Sequence, residues 1–336
     1  MSSSTSTSER AAWRRALWVY PVACLALAAL ALALIVVIDP YDTGRFTLLD
    51  GYGVPAAFGQ RLTAASLARE PDTDAAIIGN STIQLLDPAR LLEQTNWRFV
   101  SLAMTLTGPI EQLAVARWLA RHHDGKRKPA LKALVIGLDK TWCQADGKID
   151  TPQPFPHWLY GDNTLDYVAA LFNMRSVNAG IRKLKVISGA EPRLRPDGYR
   201  NLELLLAADG PAVGADLDLS SHATAASGTG NFAAVRMLSE FVPMVPATTV
   251  VVLVFVPHYA ADLPLSDTAA SREIDQCKAA YGEIAANRPN TVILDYLKTD
   301  GLTSDRGNFW DRLHYRMPIA RLIETDIAAV VRGAHG

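Results

Sequence analysis

The chain has 336 residues, of which 49% are hydrophobic and 20% charged, so a globally disordered protein is excluded and one large or two modest domains are expected. Its formal net charge is -1, which lacks the basic excess of nucleic-acid-binding proteins, and no nucleic acid is expected as a partner. The 3 cysteines are too few for a disulfide-built scaffold, and neither CxxC nor HExxH occurs, so no metal site and no cofactor are expected.

The N-terminal region predicts a membrane anchor. Residues 17–38 read LWVYPVACLALAALALALIVVI without a charge, and a helix needs about 20 apolar residues to cross the hydrocarbon core of a bilayer. The flanking charges differ in sign, with arginines before the run and aspartates after it: Arg10, Arg14, Arg15, Asp39 and Asp42. This asymmetry favours a cytoplasmic tail (1–16), a single pass through the inner (plasma) membrane, and a periplasmic or extracellular domain.

Two other interpretations of the apolar run are open. A cleaved signal peptide would have a shorter apolar core followed by a small-residue cleavage site, whereas here Ala31 and Ala33 are followed by LIVVI. A buried globular helix would normally have a polar face, and residues 17–38 have none. We therefore expect an uncleaved anchor, with the lipid bilayer as its partner.

After a predicted linker at 39–71 that packs on the domain, strands and helices alternate through residues 72–336. The predicted strands are Asp74–Gly79, Arg98–Ala103, Leu131–Leu138, Thr248–Val256 and Thr291–Leu297. The predicted helices are Pro88–Gln94, Pro109–His122, one or two within Asn163–Val186, Asn231–Phe241, Asp267–Ala286 and Pro318–Arg332. Such alternation indicates a three-layer α/β sandwich with a mainly parallel five-stranded sheet of flavodoxin-like order 2-1-3-4-5, and a lid or loose insertion at about 190–229.

Ligands of open α/β sheets bind beyond the carboxyl ends of the strands, so the residues that follow each predicted strand are the candidate site. In chain order these are Asn80 and Ser81, Gly108, Asp139, His258, and the pair Asp311 and His314. An isolated serine after a strand is usually a turn or a helix cap. Asp311-x-x-His314 can place a carboxylate beside an imidazole on one turn, although Asp311 could equally cap the last helix. Together with Ser81, this pair favours serine nucleophilic chemistry.

This pattern resembles the SGNH (GDSL-type) hydrolase superfamily over roughly residues 72–332. The resemblance implies that Ser81 is the nucleophile, that His314 is the base, and that Asp311 is its orienting acid. It also implies that Gly108 donates its backbone N–H to the oxyanion. No cofactor is implied.

The chain departs from the family pattern at two positions. The first block reads GNS rather than GDS, and Asp139 stands where the family usually has an asparagine donor. An ionised aspartate accepts hydrogen bonds and cannot donate one to an oxyanion, so either Asn80, Lys140 or a backbone group substitutes, or the activity is weak. With the anchor, this departure is more similar to membrane-tethered proteins of exopolysaccharide O-acetylation than to secreted lipases.

Three functions are therefore open. The first is serine-dependent acyl transfer or ester hydrolysis on a cell-envelope or exported polysaccharide, with a glycan or an acyl-carrying membrane protein as possible partner. The aromatic segment Phe155–Tyr160 could stack on sugar rings, and His258 could line the pocket. The second is a non-catalytic binding or scaffold protein of an envelope assembly. The third is a lipid-directed esterase.

The cysteines give a further prediction. Cys24 lies in the apolar run, which leaves Cys143 and Cys277 in the exported part. Cys143 follows the third strand, and Cys277 lies in the helix after the fourth. Because adjacent strands bring these segments together, we expect a disulfide between them.

Overall fold

A computed structural model describes residues 7–46, 48–126, 128–149, 154–208 and 230–334. Residues 1–6 of the predicted tail and residues 209–229 of the predicted insertion lie outside this range. The chain forms two compact units. The N-terminal unit comprises Met1–Pro55 and Asn163–Arg193, and the sheet unit comprises Ala56–Asp162 and Leu194–Gly336.

The sheet unit contains five parallel strands in the order β2-β1-β3-β4-β5. Their bounds are β1 Ala75–Ile78, β2 Phe99–Ser101, β3 Ala133–Leu138, β4 Val250–Phe255 and β5 Thr291–Asp295. The predicted parallel five-stranded sheet is confirmed, including its order. The strands are shorter than predicted, although some flanking residues still make inter-strand hydrogen bonds, such as the Leu102 N–H to the Ile77 carbonyl at 2.8 Å and the Val256 N–H to the Leu138 carbonyl at 3.1 Å.

Helices of the sheet unit cover both faces of this sheet, whereas α1, α6 and α7 belong to the N-terminal unit. The described α-helices are α1 Thr7–Ile38, α2 Gln60–Leu67, α3 Pro88–Thr95, α4 Pro109–His122, α5 His157–Tyr160, α6 Thr164–Leu171, α7 Met174–Ile187, α8 Leu202–Ala208, α9 Ala233–Phe241, α10 Ala269–Ala286, α11 Gly301–Ser304 and α12 Met317–Gly333. The segment Asn163–Val186 forms two helices, α6 and α7. No helix was predicted for the stretches that form α2, α5, α8 and α11.

Burial explains the apolar character of the strands. Every residue of β1 to β4 is buried, whereas β5 is half-exposed and forms one edge of the sheet. On one face, Ile77 and Val252 belong to the same core cluster as Ile323 of α12. On the other face, the ring centroids of Phe255 and of Tyr281 in α10 are 5.7 Å apart. Strands covered on both faces read as continuous apolar runs, which is why they could be located from sequence.

The N-terminal unit is built around α1. Its stretch Trp13–Ile38 is long and apolar enough to cross a membrane and is mostly exposed in the folded chain. Directly after α1, the buried Asp39 accepts hydrogen bonds from Thr43 and from the Tyr167 hydroxyl of α6. Lys183 of α7 donates to the Asp39 carbonyl (2.9 Å) and to Asp42 (2.8 Å). The end of the apolar helix is thus tied to α6 and α7 by buried polar groups that satisfy one another.

The disulfide expected between Cys143 and Cys277 is confirmed. Cys143 lies in the short 3-10 helix after β3, and Cys277 is a buried residue of α10. Their Cα atoms are 5.6 Å apart, and the bond closes a loop with a sequence separation of 134 residues. Next to the bond, the Tyr281 hydroxyl donates to the Trp142 carbonyl at 3.0 Å. Helix α10 is therefore linked covalently to the segment that follows β3.

Replacing both cysteines (Cys143→Ser with Cys277→Ser) should lower the free energy of unfolding by about 2–5 kcal/mol, because the unfolded chain regains the freedom of a long loop. Urea unfolding of the full chain in detergent, followed by tryptophan fluorescence, measures this change. Cys24→Ser is the matched control, since Cys24 is a free thiol exposed on α1. A double variant as stable as the control would contradict the prediction.

Candidate functional site: a serine, histidine and aspartate at the sheet edge

Ser81 lies in a tight turn at the carboxyl end of β1. The turn is a 3-10 helix, Ser81–Ile83, capped by Asn80, whose side-chain oxygen accepts from the Thr82 backbone N–H at 3.0 Å. Ile83 is fully buried. A Cβ added at Gly79 would lie 2.6 Å from the Ile83 side chain, and one at Gly137 would lie 2.8 Å from it. The two glycines therefore leave the space in which the Ser81 turn is seated against the sheet.

His314 and Asp311 lie in a loop between β5 and α12. The backbone N–H groups of Leu313 and His314 both donate to one oxygen of Asp311, each at 2.7 Å. The Trp310 N–H donates to the His314 carbonyl at 2.8 Å, which closes the loop on itself. Tyr259, beyond β4, donates its N–H to the Arg312 carbonyl at 2.9 Å. The loop is thus held both internally and by the segment after the neighbouring strand.

The three predicted residues form a continuous hydrogen-bonded chain. His314 Nε2 lies 2.9 Å from Ser81 Oγ, and His314 Nδ1 lies 2.6 Å from the second oxygen of Asp311. With Nδ1–H donated to the carboxylate, Nε2 is the acceptor for the serine hydroxyl. Ser81 is half-buried, while the side chains of His314 and Asp311 are 17% and 16% exposed. A small substrate group can therefore reach the hydroxyl.

The Asp311 carboxylate is favoured in its ionised form. Burial by itself would raise the pKa of Asp311, but the hydrogen bond and charge of His314, with the two backbone N–H groups, outweigh burial and hold the pKa below its usual range. An ionised Asp311 keeps the imidazole in the tautomer that accepts a proton from Ser81. The geometry can thus support nucleophilic attack by the serine oxygen.

The Asp139 carboxylate accepts a hydrogen bond from the Asn80 side chain, and as an acceptor it cannot serve as an oxyanion donor. One Asp139 oxygen accepts from the Thr141 N–H at 2.9 Å and from the Thr141 hydroxyl, and the other accepts from the Asn80 side-chain amide. Asn80 also donates to the Thr107 carbonyl at 3.5 Å, while its own oxygen holds Thr82. The carboxylate therefore orients the residue that precedes Ser81.

Gly108 caps the N-terminus of α4. Its backbone N–H, the predicted oxyanion donor, is donated to the side chain of Glu111 at 2.9 Å. The Asn80 amide is likewise engaged by Asp139 and Thr107. No hydrogen bond among the described residues uses the N–H of Ser81. The Ser81 N–H is thus the donor that is available to an oxyanion, and the oxyanion role of Gly108 stays a prediction.

A second imidazole and carboxylate pair lies beyond β3 and β4. His258 Nδ1 is 2.9 Å from Asp262, and both oxygens of Asp262 accept from Lys140, at 3.1 and 3.0 Å. Burial would raise the pKa of Asp262, but the hydrogen bond and charge of His258, with the charge of Lys140, hold it below its usual range. His258 Nε2 is buried and has no hydrogen-bond partner in the described part of the chain. Lys140 thus binds Asp262, and its role as a substitute oxyanion donor stays a prediction.

Two carboxylates of these hydrogen-bond networks, Asp262 and Glu111, were not predicted from the sequence. Asp262 was not recognised, although its spacing of four from His258 was a usable signal. Glu111 was also missed, although Gly-Pro-x-Glu is a sequence signature of a helix N-terminus. Both residues act on groups that had been assigned to the pocket.

The segment Phe155–Tyr160 presents fewer accessible aromatic rings than the sequence predicted. Phe155 and Tyr160 are buried and stack on each other with ring centroids 5.1 Å apart. The Tyr160 hydroxyl donates to the Arg61 carbonyl at 2.6 Å. The expectation that Phe155–Tyr160 presents sugar-stacking rings is therefore corrected, since only His157 and the half-buried Trp158 have accessible rings.

Comparison with known proteins does not identify the chain. No protein-family model matches it, and no curated protein matches it.

Asp139→Asn tests the arrangement around Asn80. The new amide would face the Asn80 amide, donor against donor, so either Asn80 loses its partner or it turns and releases Thr82. An unsatisfied buried group costs about 1–3 kcal/mol. We expect slower labelling of Ser81 by a fluorophosphonate and a lower free energy of unfolding.

Asp275→Asn is the matched control, because Asp275 is an exposed carboxylate of α10. Labelling of Asp139→Asn that equals or exceeds the control rate would show that a donor, and not an acceptor, is needed at position 139.

Proposed function

We propose that the chain is a membrane-anchored, SGNH-like serine enzyme that transfers an acyl group to, or removes one from, a cell-envelope or exported polysaccharide. The observation that carries the proposal is the hydrogen-bonded chain from Ser81 Oγ through His314 to Asp311, at 2.9 and 2.6 Å. These distances lie within the range in which a base can take the proton of a nucleophile.

The proposed reaction has two halves. In the first, Ser81 Oγ attacks the acyl carbonyl carbon while His314 Nε2 takes the serine proton, and Asp311 stabilises the imidazolium that forms. The Ser81 N–H faces the developing oxyanion. The bond to the leaving oxygen then breaks, and His314 returns the proton to it, which leaves an ester on Ser81. In the second half, His314 deprotonates a sugar hydroxyl or water as its oxygen attacks the carbonyl carbon of this ester. The bond between Ser81 Oγ and the acyl group then breaks, and His314 returns the proton to Oγ, which regenerates Ser81 and releases the new ester or the free acid.

Three features support the proposed location of the reaction. The apolar helix could anchor the chain in a bilayer, arginines precede it, and the sheet unit contains a disulfide. Disulfides persist in oxidising compartments outside the cytoplasm. These features support a sheet unit on the periplasmic or extracellular side, where envelope glycans and acyl-carrying membrane partners are accessible.

A non-catalytic, SGNH-like scaffold is the second candidate function. The scaffold is favoured because two predicted oxyanion donors are already used within the chain: the Gly108 N–H donates to Glu111, and the Asn80 amide donates to Asp139. Loss of a single oxyanion donor typically lowers kcat by about 100- to 1000-fold. A scaffold would keep the fold and the hydrogen bonds of Ser81 without turnover.

Serine reactivity separates the two candidates. The full chain in detergent should react with a fluorophosphonate at Ser81, and Ser81→Ala should abolish the labelling. Turnover of an acetyl ester should fall by about 10³-fold or more in Ser81→Ala and in His314→Ala, and by about 10³- to 10⁴-fold in Asp311→Asn. Ser239→Ala, at an exposed serine of α9, is the control. Turnover unchanged in all three site variants would reject the assignment, and no reaction at Ser81 would favour the scaffold.

The choice between transfer and hydrolysis is tested with an acceptor. We expect slow acetyl-ester turnover in water alone and faster turnover when a soluble polysaccharide is added, because the sugar hydroxyl would take the acyl group from Ser81. Mass spectrometry of the polysaccharide should detect the new acetyl esters. Equal rates with and without the acceptor would favour a plain esterase.

Topology is tested separately. Protease added to intact spheroplasts that express the chain should digest the sheet unit, whereas a cytoplasmic marker protein stays intact. The expected fragment retains an N-terminal tag together with α1. Full protection of the sheet unit would contradict the proposed orientation.

A further inference from the structure

Helices α6 and α7 of the N-terminal unit expose large apolar side chains. Five of these side chains are between 43% and 78% exposed: Leu165, Phe172, Met174, Ile181 and Leu184. Single exposed hydrophobic residues are ordinary in soluble proteins, but several on two consecutive helices form a surface that favours an apolar environment. They need a partner other than water.

The spacing of these residues places them on one side of each helix. Along α7, Met174, Val177, Ile181 and Leu184 are separated by three, four and three residues. In α6, Leu165 and Ala169 are separated by four, and Phe172, the residue that caps the C-terminus of α6, follows three residues later. The buried residues of α7 occupy a different side: Ser176, Ala179, Gly180 and Lys183. Each helix thus has one side packed into the N-terminal unit and an apolar stripe that faces outward.

Contact with α1 sets the level of α7 relative to a membrane. A Cβ added at Gly180 would lie 3.7 Å from Ile38 and 3.8 Å from Pro40. Ile38 is the last residue of the stretch that could span a bilayer. Lys183, one turn further along α7, binds the Asp39 carbonyl and Asp42. If α1 spans the membrane, α7 must therefore lie at the depth where α1 leaves the hydrocarbon.

The charges of α7 suit the same location. Its sequence MRSVNAGIRKLKVI contains basic residues and no aspartate or glutamate. Lys185 is exposed next to the apolar stripe, while Arg175 is exposed on the other side of the helix. Interfacial helices combine an apolar face with basic residues that interact with phosphate headgroups.

We propose that α6 and α7 form a second membrane contact that lies in the plane of the interface next to α1. The apolar stripes Leu165–Phe172 and Met174–Leu184 would enter the headgroup and acyl boundary by about 5–10 Å. The partner is the lipid bilayer itself. This inference rests on α1 spanning the membrane and is independent of the acyl chemistry at Ser81.

Site-directed fluorescence in the full chain tests the proposal. The environment-sensitive fluorophore NBD is attached to Leu165→Cys or Ile181→Cys in a Cys24→Ser background, and the protein is reconstituted into phosphatidylcholine vesicles. Arg175→Cys is the matched control on the same helix. The native Cys24, labelled in the unsubstituted chain, reports insertion of α1. Lipid-borne doxyl groups and aqueous iodide serve as quenchers.

We expect the labels at positions 165 and 181 to be quenched by doxyl lipid and protected from iodide, whereas the label at 175 is quenched by iodide. Quenching of Cys24 by lipid together with iodide access at 181 would overturn the proposal while the anchor stands. Iodide access at both Cys24 and 181 would overturn the anchor as well. A label at 181 that is protected only at high protein-to-lipid ratio, without doxyl quenching, would indicate a second copy of the chain and would also overturn it. Circular dichroism checks that each variant, substituted only at an exposed side chain, is folded.

Discussion

The contact of Ile83 with Gly79 and Gly137 is the constraint on which the position of Ser81 depends. Gly79 directly follows β1 and Gly137 lies in the neighbouring strand β3, and neither has a side chain that would push the turn away from the sheet. With Ile83 seated there, Asn80 caps the turn and Ser81 faces the loop that holds His314. The register of β1 against β3 therefore determines the position of the Ser81 hydroxyl through the buried side chain of Ile83.

Hydrogen bonding around the site separates groups that are held from groups that are available. Asp139, Asn80 and Thr107 satisfy one another, and Gly108 is satisfied by Glu111. Such pairing avoids the cost of buried polar groups without partners, but it also uses donors that would otherwise stabilise an oxyanion. The proposed enzyme would thus rely on the Ser81 N–H as oxyanion donor, which predicts slower turnover than a site with several free donors.

In the N-terminal unit, buried charged groups pair with one another at the end of α1. Burial raises the pKa of Asp39, although the hydrogen bond of Tyr167 and the charge of Lys183 act in the opposite direction. Lys183 and Asp42 are both buried and form an ion pair at 2.8 Å. A buried pair of this kind contributes little net stability but is costly to break, so it specifies how α7 joins the end of α1. That junction fixes the position of α7 relative to the end of α1.

Much of the architecture could be predicted from the chain alone. Apolar runs predicted the five strands, because β1 to β4 are buried on both faces and β5 alternates only weakly. The order of motifs predicted Ser81, Asp311 and His314 as one candidate site, because the carboxyl ends of parallel strands share an edge. The cysteine pair followed from the same adjacency. Helix α2, by contrast, has few large apolar residues and a weakly marked start, so its sequence resembled a linker.

What only the tertiary structure decided is the partner of each polar group. The sequence left the partner of Asp139 open, and the folded chain pairs Asp139 with Asn80 and Thr141, while Lys140 pairs with Asp262. Phe155 and Tyr160, which were expected to present rings to a sugar, stack on each other. Residue type and spacing determine which strand a side chain follows, since the backbone pattern is local. Which donor meets which acceptor depends on atoms brought from distant segments to within about 3 Å, a distance that only the packed chain defines.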